Sequence, residues 1–204
     1  RYAGKVKELA GYFSETFGCP AFVQFGKDYA EARDNYVYVV SQANDDAYAY
    51  DPDIVLARVP KAQVTNRSAY EFYAGQKGDG DALWSPHIDE RAPIFTDPNG
   101  TQRISMTYNA PLGRYLLVTS HYPPDCEMET HTAALGIFDA PEPWGPWSAI
   151  YYDARWSDGF RTYHHRIPPK WIAQDGTSFW LLYSGLADEV YDFCLKRAHL
   201  KLSR

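Results

Sequence analysis

The sequence predicts an all-β chain folded as part of a β-propeller, and three observations predict it. Short apolar and aromatic runs rich in β-branched residues recur along the 204 residues, while evidence for helical periodicity is thin. Each run is preceded and followed by a further apolar element, so a meander of three to four strands repeats. Turn signals, including Asp175-Gly176, separate the first strand of a repeat from its second. Repeats built of four strands are the sequence signature of propeller blades.

The elements follow in order. The first repeat reads as strands over 20–25, 36–41 and 53–60, with an outer strand over 70–73. The second reads as 103–108, 114–120 and 134–141, with an outer strand over 147–152, after a loop-rich insert around 76–100. The third reads as 165–172, 179–184 and 193–200, without an outer strand of its own. The three second strands each end in serine, at Ser41, Ser120 and Ser184. Residues 6–13 fit a short helix or a surface strand. A propeller typically closes with at least four blades. The chain therefore reads as a single propeller domain over 1–204, the C-terminal portion of a larger propeller, with blades at about 19–75, 76–153 and 160–204.

Composition narrows the function. A 45% hydrophobic fraction with 6 Trp, 17 Tyr and 10 Phe argues against disorder. The net charge of −6 and the lack of a basic block argue against a nucleic-acid partner. No apolar run approaches the roughly 20 residues of a membrane helix, so no membrane partner is expected. The chain begins at Arg1 with no signal-like apolar segment, so a targeting peptide is expected to be absent or removed. Asn66-Arg67-Ser68 and Asn99-Gly100-Thr101 fit the glycosylation pattern, which gives the expectation of an extracellular or secreted protein. Cys19, Cys126 and Cys194 match no zinc spacing. They read as buried apolar thiols, with one disulfide as the alternative.

Meander geometry sorts the loops to two ends. Links from second to third strands, and residues entering the first strands, share one end. That end is acidic: Asn44, Asp45 and Asp46 with Asp51 and Asp53, then 125–131 with Glu127, Glu129 and His131, then Asp188-Glu189. Entering the first strands there are Gln102 and Arg103, then Tyr163, His164 and His165. Carboxylates beside aromatic rings, histidine and arginine are the chemistry of a sugar site. Rings stack on sugar faces, and two carboxylates serve as acid and as nucleophile or base. Like charges at a channel mouth raise one carboxyl into the acid role.

The catalytic candidates are therefore Glu129, Asp45 and Glu127, and the substrate-binding candidates His165, Arg103, Tyr163 and His131. Set against this, Asp and Asn favour turns, so acidic loops also read as solvated turns. Strand neighbours point to opposite faces, so only one of His164 and His165 can face the channel. His165 is taken, although either satisfies the pattern. No cofactor and no metal are expected. The Asp-rich loop 44–53 offers oxygen ligands for calcium as the alternative, without EF-hand spacing. Phosphate-loop, nucleophile-elbow and zincin motifs are missing from the sequence.

Several strings resemble a known family. They are Phe25-Gly-Lys-Asp-Tyr29, Arg33-Asp-Asn-Tyr-Val-Tyr38, Val55-Leu-Ala-Arg-Val-Pro-Lys61, Ser68-Ala-Tyr-Glu-Phe72 and, most specific, Asp139-Ala-Pro-Glu-Pro-Trp-Gly-Pro-Trp147. Over about 19–202 the chain resembles the bacterial and fungal DUF4185 type of five-bladed propeller, which is similar to glycoside hydrolases. The resemblance implies five blades, of which about three lie here. It also implies a glycan-active role, some members resembling endo-acting arabinanases. The expected function is a glycoside hydrolase acting on a polysaccharide or oligosaccharide, an arabinan-type glycan among the candidates. The alternatives are a non-catalytic carbohydrate-binding propeller and a protein-interaction scaffold. Trp144 and Trp147 are expected to pack between blades, and Asp34 to serve as a turn or cap residue.

Overall fold

Sheets buried on both faces need apolar residues at successive positions, and the strand runs here have them. The computed structural model describes residues 13, 16–121, 133–157, 161–187 and 190–202. The first antiparallel meander comprises β1 (Ala21–Phe22), β2 (Tyr36–Gln42), β3 (Asp51–Pro60) and β4 (Glu71–Gln76), with β5 (Ala82–Ser85) added outside β4. The second comprises β6 (Phe95–Asn109), β7 (Arg114–His121), β8 (Ala134–Ala140) and β9 (Ser148–Asp153). The third comprises β10 (Arg161–Arg166), β11 (Ser178–Ala187) and β12 (Val190–His199).

The outer edge of β3 is shared. Its second half pairs with β4 through Ala57 opposite Phe72, and its first half with β6 through Ile54 opposite Phe95. The 15-residue β6 then crosses to become the inner strand of the second meander, so nine strands form one sheet. The β10–β12 sheet is separate. No ring closes among the described residues.

Inner strands lie side by side. The Gln24 amide donates to the Met106 carbonyl at 3.0 Å, and the Tyr108 amide to the Gln24 carbonyl at 2.8 Å. The Ser105 hydroxyl donates to the His165 carbonyl and the Thr107 hydroxyl to the Ile167 carbonyl, each at 2.8 Å. These bonds hold β1, β6 and β10 in succession, so the meanders stack face to face.

Period-two alternation distributes the core. Tyr38, Val40, Ile54, Leu56, Ile104, Met106, Leu117 and Phe138 fill the space between the first and second meanders. Val39, Val55, Ala57, Val59 and Phe72 face the other side of the first. Leu116, Val118, Leu135, Ile137, Phe179 and Leu181 fill the space between the second and third. Each fully buried large side chain contributes roughly 1.5–3 kcal/mol. Trp144 and Trp147 pack against the first of these clusters, Trp144 stacking on Tyr73 at 6.5 Å. Asp34 accepts from the Tyr36 amide and from the Tyr38 hydroxyl at 2.6 Å, the turn role expected of it. Gly176 sits at φ 73, where an added Cβ would meet Asn109 Oδ1 at 2.7 Å. The β10–β11 turn therefore requires glycine.

Three expectations change. The insert around 76–100 carries β5 and the start of β6 rather than loop alone. The first strand of the third meander spans Arg161–Arg166, not 165–172; Pro168 and Pro169 cannot donate to a ladder, and Pro169–Trp171 forms a 3-10 turn. Cys19 and Cys194 are half-buried rather than core thiols, and neither forms a disulfide among the described residues. Residues 6–12 and Cys126 lie outside the described residues.

Candidate functional site

Two inner strands carry the same irregularity at the same end. On β6, Gln102 faces Ser120 and Ser105 faces Val118, so the strand holds one extra residue, and Arg103 adopts φ 54. On β10, Tyr163 faces Ser184 and Arg166 faces Leu182, again with one extra residue, and His164 adopts φ 55. Ser120 and Ser184 thus sit at the bulges, and β7 and β11 run on past them to His121 and Ala187 rather than ending in serine. Bulges and left-handed non-glycine residues concentrate where a side chain is re-aimed for function.

Buried amides hold this end together. Gln42, fully buried, accepts from the Arg103 backbone amide at 3.0 Å. Its Nε2 donates to the Asp46 carbonyl at 2.8 Å and the Ala49 carbonyl at 3.1 Å. Gln102 Nε2 donates to the Tyr48 carbonyl, and the Ser120 hydroxyl to the Gln102 carbonyl at 3.2 Å. The β2–β3 loop is thereby tied to the β6 bulge.

The bulge sets the Arg103 guanidinium between two rings, 5.0 Å from the centroid of Tyr48 and 5.1 Å from that of Tyr163. Tyr163 lies 5.8 Å from Tyr191 of β12. Three meanders therefore contribute to one aromatic and cationic surface. Burial, then Arg103 and Arg166, hold the His164 imidazole below its ordinary pKa. Burial also lowers the Arg166 guanidinium, partly offset by Cys19. His164 and Arg166 line an open hollow of about 350 Å³ with Tyr183, Tyr191, Asp192 and Phe193.

The candidates divide as follows. Arg103 and Tyr163 meet at this end, and Asp45 lies exposed in the β2–β3 loop that also carries Tyr48. Glu127, Glu129 and His131 lie outside the described residues, as does the Asp188-Glu189 pair. β7 ends and β8 begins at this same end, where His121 pairs with Ala134.

His165 does not line the surface. It is 1% exposed, 5.2 Å from Trp156 and stacked on Tyr183 at 5.7 Å, with no hydrogen-bond partner for either ring nitrogen among the described residues. Burial, then the nearby His164, push it down to about 3. Because the extra residue is His164, that side chain turns outward and His165 turns into the sheet stack. Sequence reasoning passed over Gln42, Tyr48 and Arg166. The signal for Tyr48 was its place in the acidic loop; Gln42 and Arg166 had none.

The larger hollow, about 490 Å³, lies between β8–β9 and β11–β12. Leu135, Ile137, Ile150, Trp156, Phe179 and Leu181 line it, together with the basic residues Lys196, Arg197, His199 and Lys201, and no carboxylate among the described residues does. No group of three or more potential metal ligands occurs among the described residues.

Stacked antiparallel meanders with such an end define an all-β, propeller-like fold. The chain belongs to the DUF4185 family, described as a domain of unknown function, whose profile matches residues 3–194. A comparison with curated proteins finds no match. Among solved structures, the chain is similar to an exo-β-1,3-galactanase from Phanerochaete chrysosporium solved with β-1,3-galactotriose. The TM-score is 0.50 at 12% identity, over 90% of this chain and 35% of that one. An exo-β-1,3-galactanase from Clostridium thermocellum gives a TM-score of 0.46 at 12% identity, over 89% of this chain and 41% of that one. The chain spans from 35% to 51% of the length of the first solved structures it matches.

Proposed function

We propose that this chain is part of a glycoside hydrolase that cleaves a polysaccharide at the Arg103 end of the meander stack. The observation that carries the reading is the Arg103 guanidinium set between Tyr48 and Tyr163 by a bulge that a buried glutamine holds. Flat aromatic faces with a fixed hydrogen-bond donor suit a sugar ring and its hydroxyls. Asp45, in the same loop as Tyr48, serves as one carboxylate, and Glu129 or its neighbour Glu127 as the other. A separation of about 5–5.5 Å would give retention and about 6.5–9.5 Å inversion.

In this reading the chain supplies three of five blades, and further blades complete the channel. The family resemblance supports an arabinan-type substrate, and the solved relative named for β-1,3-galactan makes that polymer the second to assay. Sugar binding without cleavage is the other reading; it is favoured by the fact that cations and rings outnumber carboxylates at the described part of the site. An extracellular location goes with either, both sequon asparagines being exposed.

Sugar release from arabinan and galactan by the Asp45→Ala and Glu129→Ala variants tests the proposal. The expected loss is about 100-fold or more in each. Unchanged release in both removes these residues from the chemistry. Glycan binding by the unmodified protein without any product favours the non-catalytic reading.

A further inference from the structure

The two wedges between successive meanders are filled differently. Between the first and second, the chain's own rings close the outer part: Trp144 stacks on Tyr73 at 6.5 Å and meets Trp84 edge-on at 6.0 Å. Between the second and third, the hollow of about 490 Å³ stays open beside Leu135, Ile137, Phe179 and Leu181. Ile150 and Tyr151 of β9, also in its wall, are left 38% and 42% exposed. Its lining is basic on a chain whose net charge is −6. Lys196, Arg197, His199 and Lys201 contribute to it, and none of them forms an ion pair among the described residues. Lys196 pairs across the ladder with Leu181, so it shares the face that looks into the wedge, and its ammonium lies 4.5 Å from the centroid of the Trp156 ring. An apolar strand packed into the wedge would bury that charge without a partner, which is costly. A second hollow, of about 460 Å³, shares Ile150, Leu200 and Lys201 with the first and extends it toward Leu112 and Leu202. Asp139, the one carboxylate among the described residues of its wall, is taken by Arg114 at 2.6 Å.

We propose that this hollow binds a single-chain fatty acid, its alkyl chain between the second and third meanders and its carboxylate at Lys196 and the neighbouring basic side chains. The inference goes beyond the glycoside-hydrolase reading and does not depend on it. Seats for small ligands are concave and mostly apolar, with a few polar groups that fix orientation. Aliphatic and aromatic side chains from two facing sheets supply the first part, from Leu135 and Ile137 on one side and Phe179 and Leu181 on the other. Charge complementarity supplies the second. A carboxylate gains from each uncompensated cation, whereas a cationic head is repelled. A flexible alkyl chain follows the groove from one hollow into the next. A sugar in the same place would leave its hydroxyls without partners against the apolar wall.

Calorimetric titration of the protein with dodecanoate, octanoate and dodecyltrimethylammonium, each below micelle formation, tests the assignment. Dodecanoate is expected to bind at least about tenfold more tightly than the cationic amphiphile of equal chain length. Octanoate, four methylenes shorter, should bind about 100-fold more weakly than dodecanoate. Lys196→Glu and Ile150→Glu, both at exposed positions, should keep the melting temperature and weaken dodecanoate binding at least about tenfold. Equal binding of octanoate and dodecanoate would reduce the site to surface charge, and equal binding of the cationic amphiphile would reduce it to apolar surface; either overturns the inference. Dodecanoate affinity that both variants leave unchanged places the ligand elsewhere and overturns it as well. No heat with dodecanoate, the result expected where a further strand or a second copy of the chain fills the wedge, overturns it equally. The glycan reading stands in every one of these cases.

Discussion

Gln42 of the first meander accepts a hydrogen bond from the backbone amide of Arg103 in the second, at 3.0 Å, while its own amide group holds the Asp46 and Ala49 carbonyls. One buried side chain thus fixes both the loop that carries Tyr48 and the bulge that carries Arg103. Gln42→Leu keeps the volume and strands these groups without partners. The expected cost is roughly 1–3 kcal/mol in urea unfolding, with weakened glycan binding in calorimetry. An unchanged affinity would show that the loop is held by other contacts.

His165 makes stability depend on pH. Its folded pKa, about 3, lies below the ordinary 6.5 of the unfolded chain. As pH falls below 6.5 the unfolded state binds a proton that the folded state refuses, so stability drops toward pH 3 by up to about 1.4 kcal/mol per pH unit. His165→Phe, which keeps a ring between Trp156 and Tyr183, is expected to remove this contribution and to unfold less readily at pH 5 than the parent. Parallel urea-midpoint profiles for the two proteins between pH 7 and pH 4 would contradict the assignment.

At the opposite end, Arg33 forms a two-pronged pair with Glu142, at 2.9 Å and 3.0 Å. The Glu142 bond raises the Arg33 guanidinium above its ordinary range. Both side chains are more than a third exposed, so solvent screens most of the pair's energy. Glu142→Gln is expected to cost less than about 1 kcal/mol in thermal unfolding and to leave glycan affinity unchanged. A large fall in affinity would mean that the two ends are coupled.

Buried strands were legible in the sequence: β7 reads as a continuous apolar run because meanders cover both its faces, and β2 and β11 read likewise with a neighbouring meander on one face each. The start of β6 was hidden, since Asp97-Pro98-Asn99-Gly100 has turn composition and bulges out between Thr96 and Thr101, which both pair with β3. The shared edge of β3 is a tertiary arrangement that no local pattern announces. The acidic end and its aromatic residues were legible from loop order alone. The outward turn of His164 was not. A left-handed conformation at a non-glycine residue is held by surrounding structure, and alternation alone leaves the choice between His164 and His165 open. Gln42 was equally hidden, because a glutamine closing an apolar strand gives no sign that its amide will reach another meander.

Steady-state hydrolysis by the Arg103→Met variant bears most directly on where sugar is handled. Methionine keeps the apolar stem of arginine and removes its charge and donors, while the backbone amide that Gln42 holds is untouched. Retained melting temperature with kcat/KM reduced by about 100-fold or more is the expected result. Undiminished hydrolysis by a folded Arg103→Met protein would contradict the placement of the site at this end.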